Sequence, residues 1–184
     1  RKILQEIDCP VVMETHGGYG LIYEACYHGL ETGVVFEKNP RKTSVLVKQR
    51  PTWAVYECDC VMAIWNGIGQ QWLVNMLDCD PYGEPWPVLS AFFGSERPFP
   101  SPLAVVVTDG LRQKIRMNGG WDVHSLRAMV ERYGADSLHD NYLLVCQEML
   151  ATQAAHRGYA LSRWAGYYCG AGQQMTHYAA IFTR

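Results

Sequence analysis

No stretch of this 184-residue chain approaches the roughly 18 consecutive apolar residues that a membrane-spanning helix needs. It also lacks an excess of charge of either sign, with 16 Lys and Arg against 18 Asp and Glu and a formal net charge of −2. No global field therefore draws it to nucleic acid or to an anionic membrane, so any such binding must be local. Internal repeats and low-complexity tracts are missing. So is a cysteine framework: Cys9, Cys26, Cys58, Cys60, Cys79, Cys146 and Cys169 are odd in number and scattered, without disulfide or CxxC zinc spacing. They read as reduced, mostly buried thiols. The close pair Cys58 and Cys60 has no matching His pair, and His16, His28, His124, His139, His156 and His177 form neither a triad nor a ligand pattern. No metal is expected. The opening segment Arg1 to Asp8 lacks a signal peptide's apolar core, which makes the cytoplasm the expected compartment.

What is present belongs to a folded globule. The chain is 48% hydrophobic and 18% charged, with six Trp and eleven Tyr, and its length suits one domain spanning residues 1–184. Short apolar runs alternate with helical patterns, the sign of βα units around a mostly parallel sheet. Strands are expected at Val11–Met13, Gly33–Phe36, Trp53–Glu57, Trp72–Leu77 and Leu103–Val107. Between them come a helix after Gly20 with Leu21, Ile22, Ala25 and Cys26 inward, a segment starting at Asn39-Pro40, a short helix around Met62–Trp65, and another from Pro87 to Phe93. A loop is expected from Gly110 to Gly120, then helices capped by Asp122 and Ser137, then two long strands, Tyr159–Cys169 and Met175–Phe182, closing as a hairpin. Five βα units and this hairpin give a seven-stranded α/β sheet.

Acids stand at or just past the carboxyl end of each of the first four strands: Glu14, Glu37, Asp59 and the Asp78/Asp80 pair. In an open α/β sheet those ends line the ligand crevice. A single acid there would read as a helix cap or a solvated charge; acids at four successive strand ends at nearly constant spacing read as a site.

Glu14-Thr15-His16-Gly17-Gly18-Tyr19-Gly20 resembles the glycine-rich first motif of the class I S-adenosylmethionine-dependent methyltransferases, with His16 at the first glycine position. That resemblance implies a Rossmann-like fold with strand order 3-2-1-4-5-7-6. It also implies a cofactor lying on the backbone near Gly18 and Gly20, where a Cβ would collide. On the same basis Glu14 would hold the methionine amino end, Glu37 both ribose hydroxyls and Asp59 the adenine amino group, with the backbone of Cys60 facing the ring. A nicotinamide enzyme accounts for one ribose acid but not for the third acid or the terminal hairpin.

Asp78-Cys79-Asp80-Pro81-Tyr82-Gly83 resembles the Asp/Asn-Pro-Pro-aromatic motif of methyltransferases acting on exocyclic amino groups. It is most similar to the Asp-Pro-Phe/Tyr-Gly form of the tRNA (guanine-N2) dimethyltransferases. The resemblance makes Asp80, Pro81 and Tyr82 the catalytic residues, leaves Asp78 to the cofactor or the strand end, and implies a nucleic-acid acceptor, RNA ahead of DNA. Read simply as residues, the stretch is also a tight Pro-Gly turn with solvated acids. Two basic patches, Lys38, Arg41, Lys42, Lys48 and Arg50, and Arg112, Lys114 and Arg116 in the expected loop, could meet phosphates or be solvated. An acceptor that is a protein or small molecule, and a non-catalytic cofactor-binding subunit, remain alternatives.

Overall fold

A computed structural model describes residues 3–184, the side chains of Ile3 and Leu4 excepted; Arg1 and Lys2 of the opening segment lie outside the described residues. Seven strands form one sheet: β1 Val12–Glu14, β2 Gly33–Glu37, β3 Ala54–Glu57, β4 Met76–Cys79, β5 Leu103–Asp109, β6 Ala160–Cys169 and β7 Met175–Thr183. Their order is β3-β2-β1-β4-β5-β7-β6, as expected, and β7 alone runs against its neighbours. The helices are α1 Pro40–Gln49, α2 Cys60–Trp65, α3 Trp86–Gly94, α4 Leu111–Asn118, α5 His124–Tyr133, α6 Ala135–Asp140 and α7 Tyr142–Ala155.

Because alternate residues of a strand face opposite sides, the sheet serves two cores. Met13, Leu77 and Val105 point into the larger, filled by Phe92, Leu126, Tyr142 and Leu150, while Val12, Met76 and Ala104 point into the smaller, with Tyr23, Tyr27, Leu46 and Trp53. Burial on both faces explains the continuous apolar runs of β2 and β5. Helix starts follow local chemistry: the Asn39 side chain accepts from Arg41 N and Lys42 N ahead of Pro40, and Asp59 Oδ1 accepts from Met62 N at 3.1 Å. Among the described residues no helix is long and apolar enough to cross a membrane.

Several expected elements are corrected. The helix after Gly20 becomes a π-helical turn over Tyr23–Tyr27, with Tyr23 and Tyr27 buried against Trp53 and Leu21 and Ala25 exposed. β4 starts at Met76, not Trp72, because Asn75 Oδ1 accepts from Val11 N at 2.7 Å and holds the preceding residues as a loop. The expected loop 110–120 is largely α4, closed by Gly119 in the left-handed conformation. Asp122 does not cap α5, whose N-cap is Val123, and Ser137 lies inside α6.

Candidate active site

The carboxyl ends of β1 to β5 share one edge of the sheet, and two clefts open there. The turn after β1 is anchored by Thr15 N–H donating to Asp78 O at 3.0 Å and Gly17 N–H donating to Phe36 O at 3.0 Å. Gly17 is required by packing, since a Cβ there would stand 2.5 Å from Leu46 Cδ1 and 2.6 Å from Val35 Cγ2. Gly18, at φ +55°, has nothing within 4 Å of where its Cβ would be, and its N–H donates to Glu37 Oε2 at 2.9 Å. Glu37 Oε1 accepts from Asn39 N at 2.8 Å, so a buried carboxylate ties the glycine turn to the β2–α1 connection.

The first cleft, about 510 Å³, is lined by His16, Gly18, Phe36, Glu37, Asp59 and Cys60 and faces Asp80, Pro81 and Tyr82. Of the eight residues expected at the cofactor, the structure brings His16, Gly18, Glu37, Asp59 and Cys60 together and places Glu14, Gly20 and Asp78 outside the lining. Glu14 is buried beneath, bonded to the guanidinium of Arg50, which lies 4.4 Å from the Tyr23 ring and 5.1 Å from the Trp53 ring. Burial pushes the Glu14 carboxyl up to about 7, against the opposing pull of Arg50. Asp78, its register partner on β4, accepts from the Tyr27 hydroxyl, and burial raises it to about 6. Gly20 packs on α1, where a Cβ would stand 2.2 Å from Gln49 Oε1. His16 Nδ1 lies 2.9 Å from Thr15 Oγ1 and Nε2 lies 3.7 Å from Cys60 Sγ, and burial lowers the His16 pKa.

The second cleft, about 740 Å³, shares Asp80, Pro81, Tyr82 and Glu84 with the first. The Asp80–Glu84 segment is thus a wall between two cavities. Gly83 N–H donates to Pro81 O at 2.9 Å and Gly83 O accepts from Gly110 N at 3.0 Å, which fastens the wall to the end of β5. The Tyr82 ring is wholly exposed. Gln113, Lys114 and Met117 of α4, with Met175 of β7, form the opposite side. Reading the sequence missed Glu84, Gln113, Met117 and Met175; the Leu111/Ile115 spacing and Gly119 were the available signal for α4.

The second basic patch separates in space. Arg112 is buried, donating through Nε to His139 O at 3.2 Å and through Nη1 to Gln173 O, with its guanidinium 4.0 Å from the Tyr168 ring centre, so its contacts are within the fold. Lys114 lines the second cleft and pairs with Asp122 at 3.7 Å; Arg116 is exposed. From the first patch, Lys38 and Lys42 line the first cleft, while Arg50 is spent on Glu14.

No protein family and no curated protein sequence matches the chain. Solved structures do. TYW2 of M. jannaschii in complex with AdoMet is 16% identical, with a TM-score of 0.59 over 95% of this chain and 68% of that one. Trm1 of Pyrococcus horikoshii, with S-adenosyl-L-methionine, is 12% identical, with a TM-score of 0.66 over 95% of this chain and 50% of that one. The plantazolicin methyltransferase BamL, with SAH and a substrate analogue, is 9% identical, with a TM-score of 0.59 over 95% and 77%. The chain therefore spans about two thirds of TYW2 and half of Trm1, and it has the Rossmann-like fold of S-adenosylmethionine-dependent methyltransferases.

Proposed function

We propose that this protein is an S-adenosylmethionine-dependent methyltransferase that N-methylates an exocyclic amino group of a nucleic-acid base, RNA ahead of DNA. The observation that carries the reading is the single Asp80–Glu84 wall standing between two clefts. Such an arrangement suits transfer of a small group from a donor on one side to an acceptor on the other.

The donor set of the first cleft fits the cofactor. Glu37 offers oxygens to the two ribose hydroxyls, Asp59 offers one to the adenine amino group, and the open space over Gly18 leaves room for a ligand on the backbone. Phe36 and Cys60 supply apolar surface beside them. When bound, the cofactor supplies a methyl group on a positively charged sulfur. Glu14 and Asp78, under the floor, fix the ends of β1 and β4 through Arg50 and Tyr27.

In the second cleft, Asp80 accepts an N–H of the acceptor amine and turns its lone pair out of conjugation with the ring, which a base amine needs before it can act as a nucleophile. Tyr82 offers a face on which an unpaired base stacks. The remaining contribution is alignment, and positioning of this kind is worth roughly 7–11 kcal/mol. The Asp-Pro-Tyr-Gly resemblance to the tRNA (guanine-N2) dimethyltransferases favours a base amine as acceptor. The near-neutral charge favours the rival, a protein or small-molecule acceptor. Seven unpaired cysteines favour a reducing, cytoplasmic setting.

The test is transfer of a radiolabelled methyl group from S-adenosylmethionine to total RNA, DNA and protein in parallel. Label in RNA, on an amino nitrogen, is the expected result. Label confined to protein would overturn the acceptor assignment, and no transfer to any fraction would favour a non-catalytic cofactor-binding subunit.

A further inference from the structure

Asp109 ends β5 fully buried, yet Thr108, Gly110 and Leu111 around it all line the second cleft. Its carboxylate is engaged from two sides. Oδ1 accepts from Leu111 N at 2.7 Å, the first residue of α4, and Oδ2 accepts from the Tyr142 hydroxyl at 2.8 Å and the Tyr178 hydroxyl at 3.5 Å. The intervening Gly110 amide donates to Gly83 O, at 3.0 Å, in the wall that carries Asp80. One buried carboxylate thus stands at the junction of both sides of the cleft. Arg112 pins the same first turn of the helix one residue on, through His139 O and Gln173 O.

Burying a carboxylate is costly unless its oxygens are bonded, and an apolar side chain would fill the same volume without that cost. A role in packing alone gives no reason for an acid here. Its bonds tie α4 to two other elements: they run from the helix's first amide and from two tyrosines reaching in from α7 and β7.

We propose that Asp109 is the positioning residue of the acceptor cleft. By fixing the first turn of α4 it holds Gln113, Lys114 and Met117 opposite Asp80 and Tyr82, and through the Gly110–Gly83 hydrogen bond it sets the place of the Asp80 loop. What the cleft holds rests on the methyl-transfer reading; the coupling of its two sides through Asp109 does not.

Three variants test this: Asp109→Ala, Asp109→Asn and Tyr142→Phe. Asn is the conservative replacement, since its Oδ1 still accepts from Leu111 N and its amide donates to the Tyr142 oxygen. Amide hydrogen exchange is measured by mass spectrometry, S-adenosylmethionine affinity by calorimetry and methyl transfer with total RNA as the probe. For Asp109→Ala, protection in segments 80–84 and 110–118 should fall about tenfold, while segments 12–14 and 33–37 stay within about twofold and the cofactor affinity, whose cleft shares the 80–84 wall, falls less than the transfer rate. Transfer should drop about tenfold through kcat and acceptor KM, and Asp109→Asn should keep exchange and transfer within about threefold of the parent. If Asp109→Ala does not fold, Tyr142→Phe decides, with a loss of protection at 110–118 of about two- to fivefold expected and none overturning the proposal. Unchanged exchange at 80–84 in folded Asp109→Ala, equal loss across the whole sheet, or Asn as damaging as Ala would also overturn it. Should the parent transfer no methyl group to RNA while the exchange pattern holds, the acceptor reading fails and the coupling stands.

Discussion

Replacing Glu37 tests the cofactor side of the site with a magnitude that follows from the geometry. Both carboxylate oxygens already accept backbone amides, Oε2 from Gly18 at 2.9 Å and Oε1 from Asn39 at 2.8 Å. The remaining lone pairs are those offered to the ribose hydroxyls. Hydrogen bonds to an ionised group contribute about 1.5–3 kcal/mol each, so Glu37→Ala should weaken S-adenosylmethionine binding about 10- to 150-fold even if only one is lost. Glu37→Gln should be nearly as damaging, because the amide NH₂ would point at one of two N–H donors and the turn at Gly18 would lose its tie. Glu57 is the control: it is the register partner of Glu37 on β3 but exposed and outside both clefts. Calorimetry with S-adenosylmethionine and its demethylated product, on variants verified as folded, gives the numbers. Full affinity in Glu37→Gln, or loss of binding in Glu57→Ala with Glu37→Ala intact, would refute the reasoning.

Asp80→Ala should bind S-adenosylmethionine within about twofold of the parent while losing most of its transfer rate, because its bond to the acceptor is realised fully only during transfer; paired affinity and rate measurements check this, and near-native transfer would contradict it. Tyr82→Ala should chiefly raise the acceptor KM, read from the same assay. Arg50→Met should cost about 3–5 kcal/mol of stability in urea titrations by leaving the buried Glu14 unpaired, with part restored in the Glu14→Gln double variant; an undiminished unfolding midpoint would sink that account. Asp109 is raised from 3.8 to about 7, chiefly by burial, so the folded state holds its proton more tightly than the unfolded chain. Its contribution to stability is full below about pH 4 and is lost as pH rises toward 7. Glu14 and Asp78, raised to about 7 and about 6, act in the same direction. Urea midpoints measured from pH 4 to 8 should fall less steeply in Asp109→Asn than in the parent, and identical slopes would refute the shift.

The sheet was legible because its strands are short apolar runs ending in acids, a pattern that burial on both faces imposes. The exception was β4, where Trp72 to Val74 look like strand but Asn75 spends its side chain on Val11, Asp8 and Cys9 to hold a loop. Helix α4 was hidden by its polar composition: Gln113, Lys114, Arg116 and Asn118 read as a loop between glycines, although Leu111 and Ile115 turn inward. Within the candidate site, Glu37, Asp59 and the Asp80–Tyr82 segment stand out in the sequence because each ends or follows its own strand, and the structure gathers them around one cleft. Glu14 and Asp78 could not be read fully, since their buried partners Arg50 and Tyr27 lie 36 and 51 residues away in the chain. The role of Arg112 was equally opaque, because its partners are backbone carbonyls, which no side-chain pattern reveals.

The central claim is that the first cleft is built for S-adenosylmethionine. It is tested most directly by calorimetric titration of the unmodified protein, in metal-free buffer, with S-adenosylmethionine, its demethylated product and NAD in separate runs. Saturable binding of the first two at one site, and none of NAD, is the expected result. Saturable binding of NAD with no heat from S-adenosylmethionine would contradict the account.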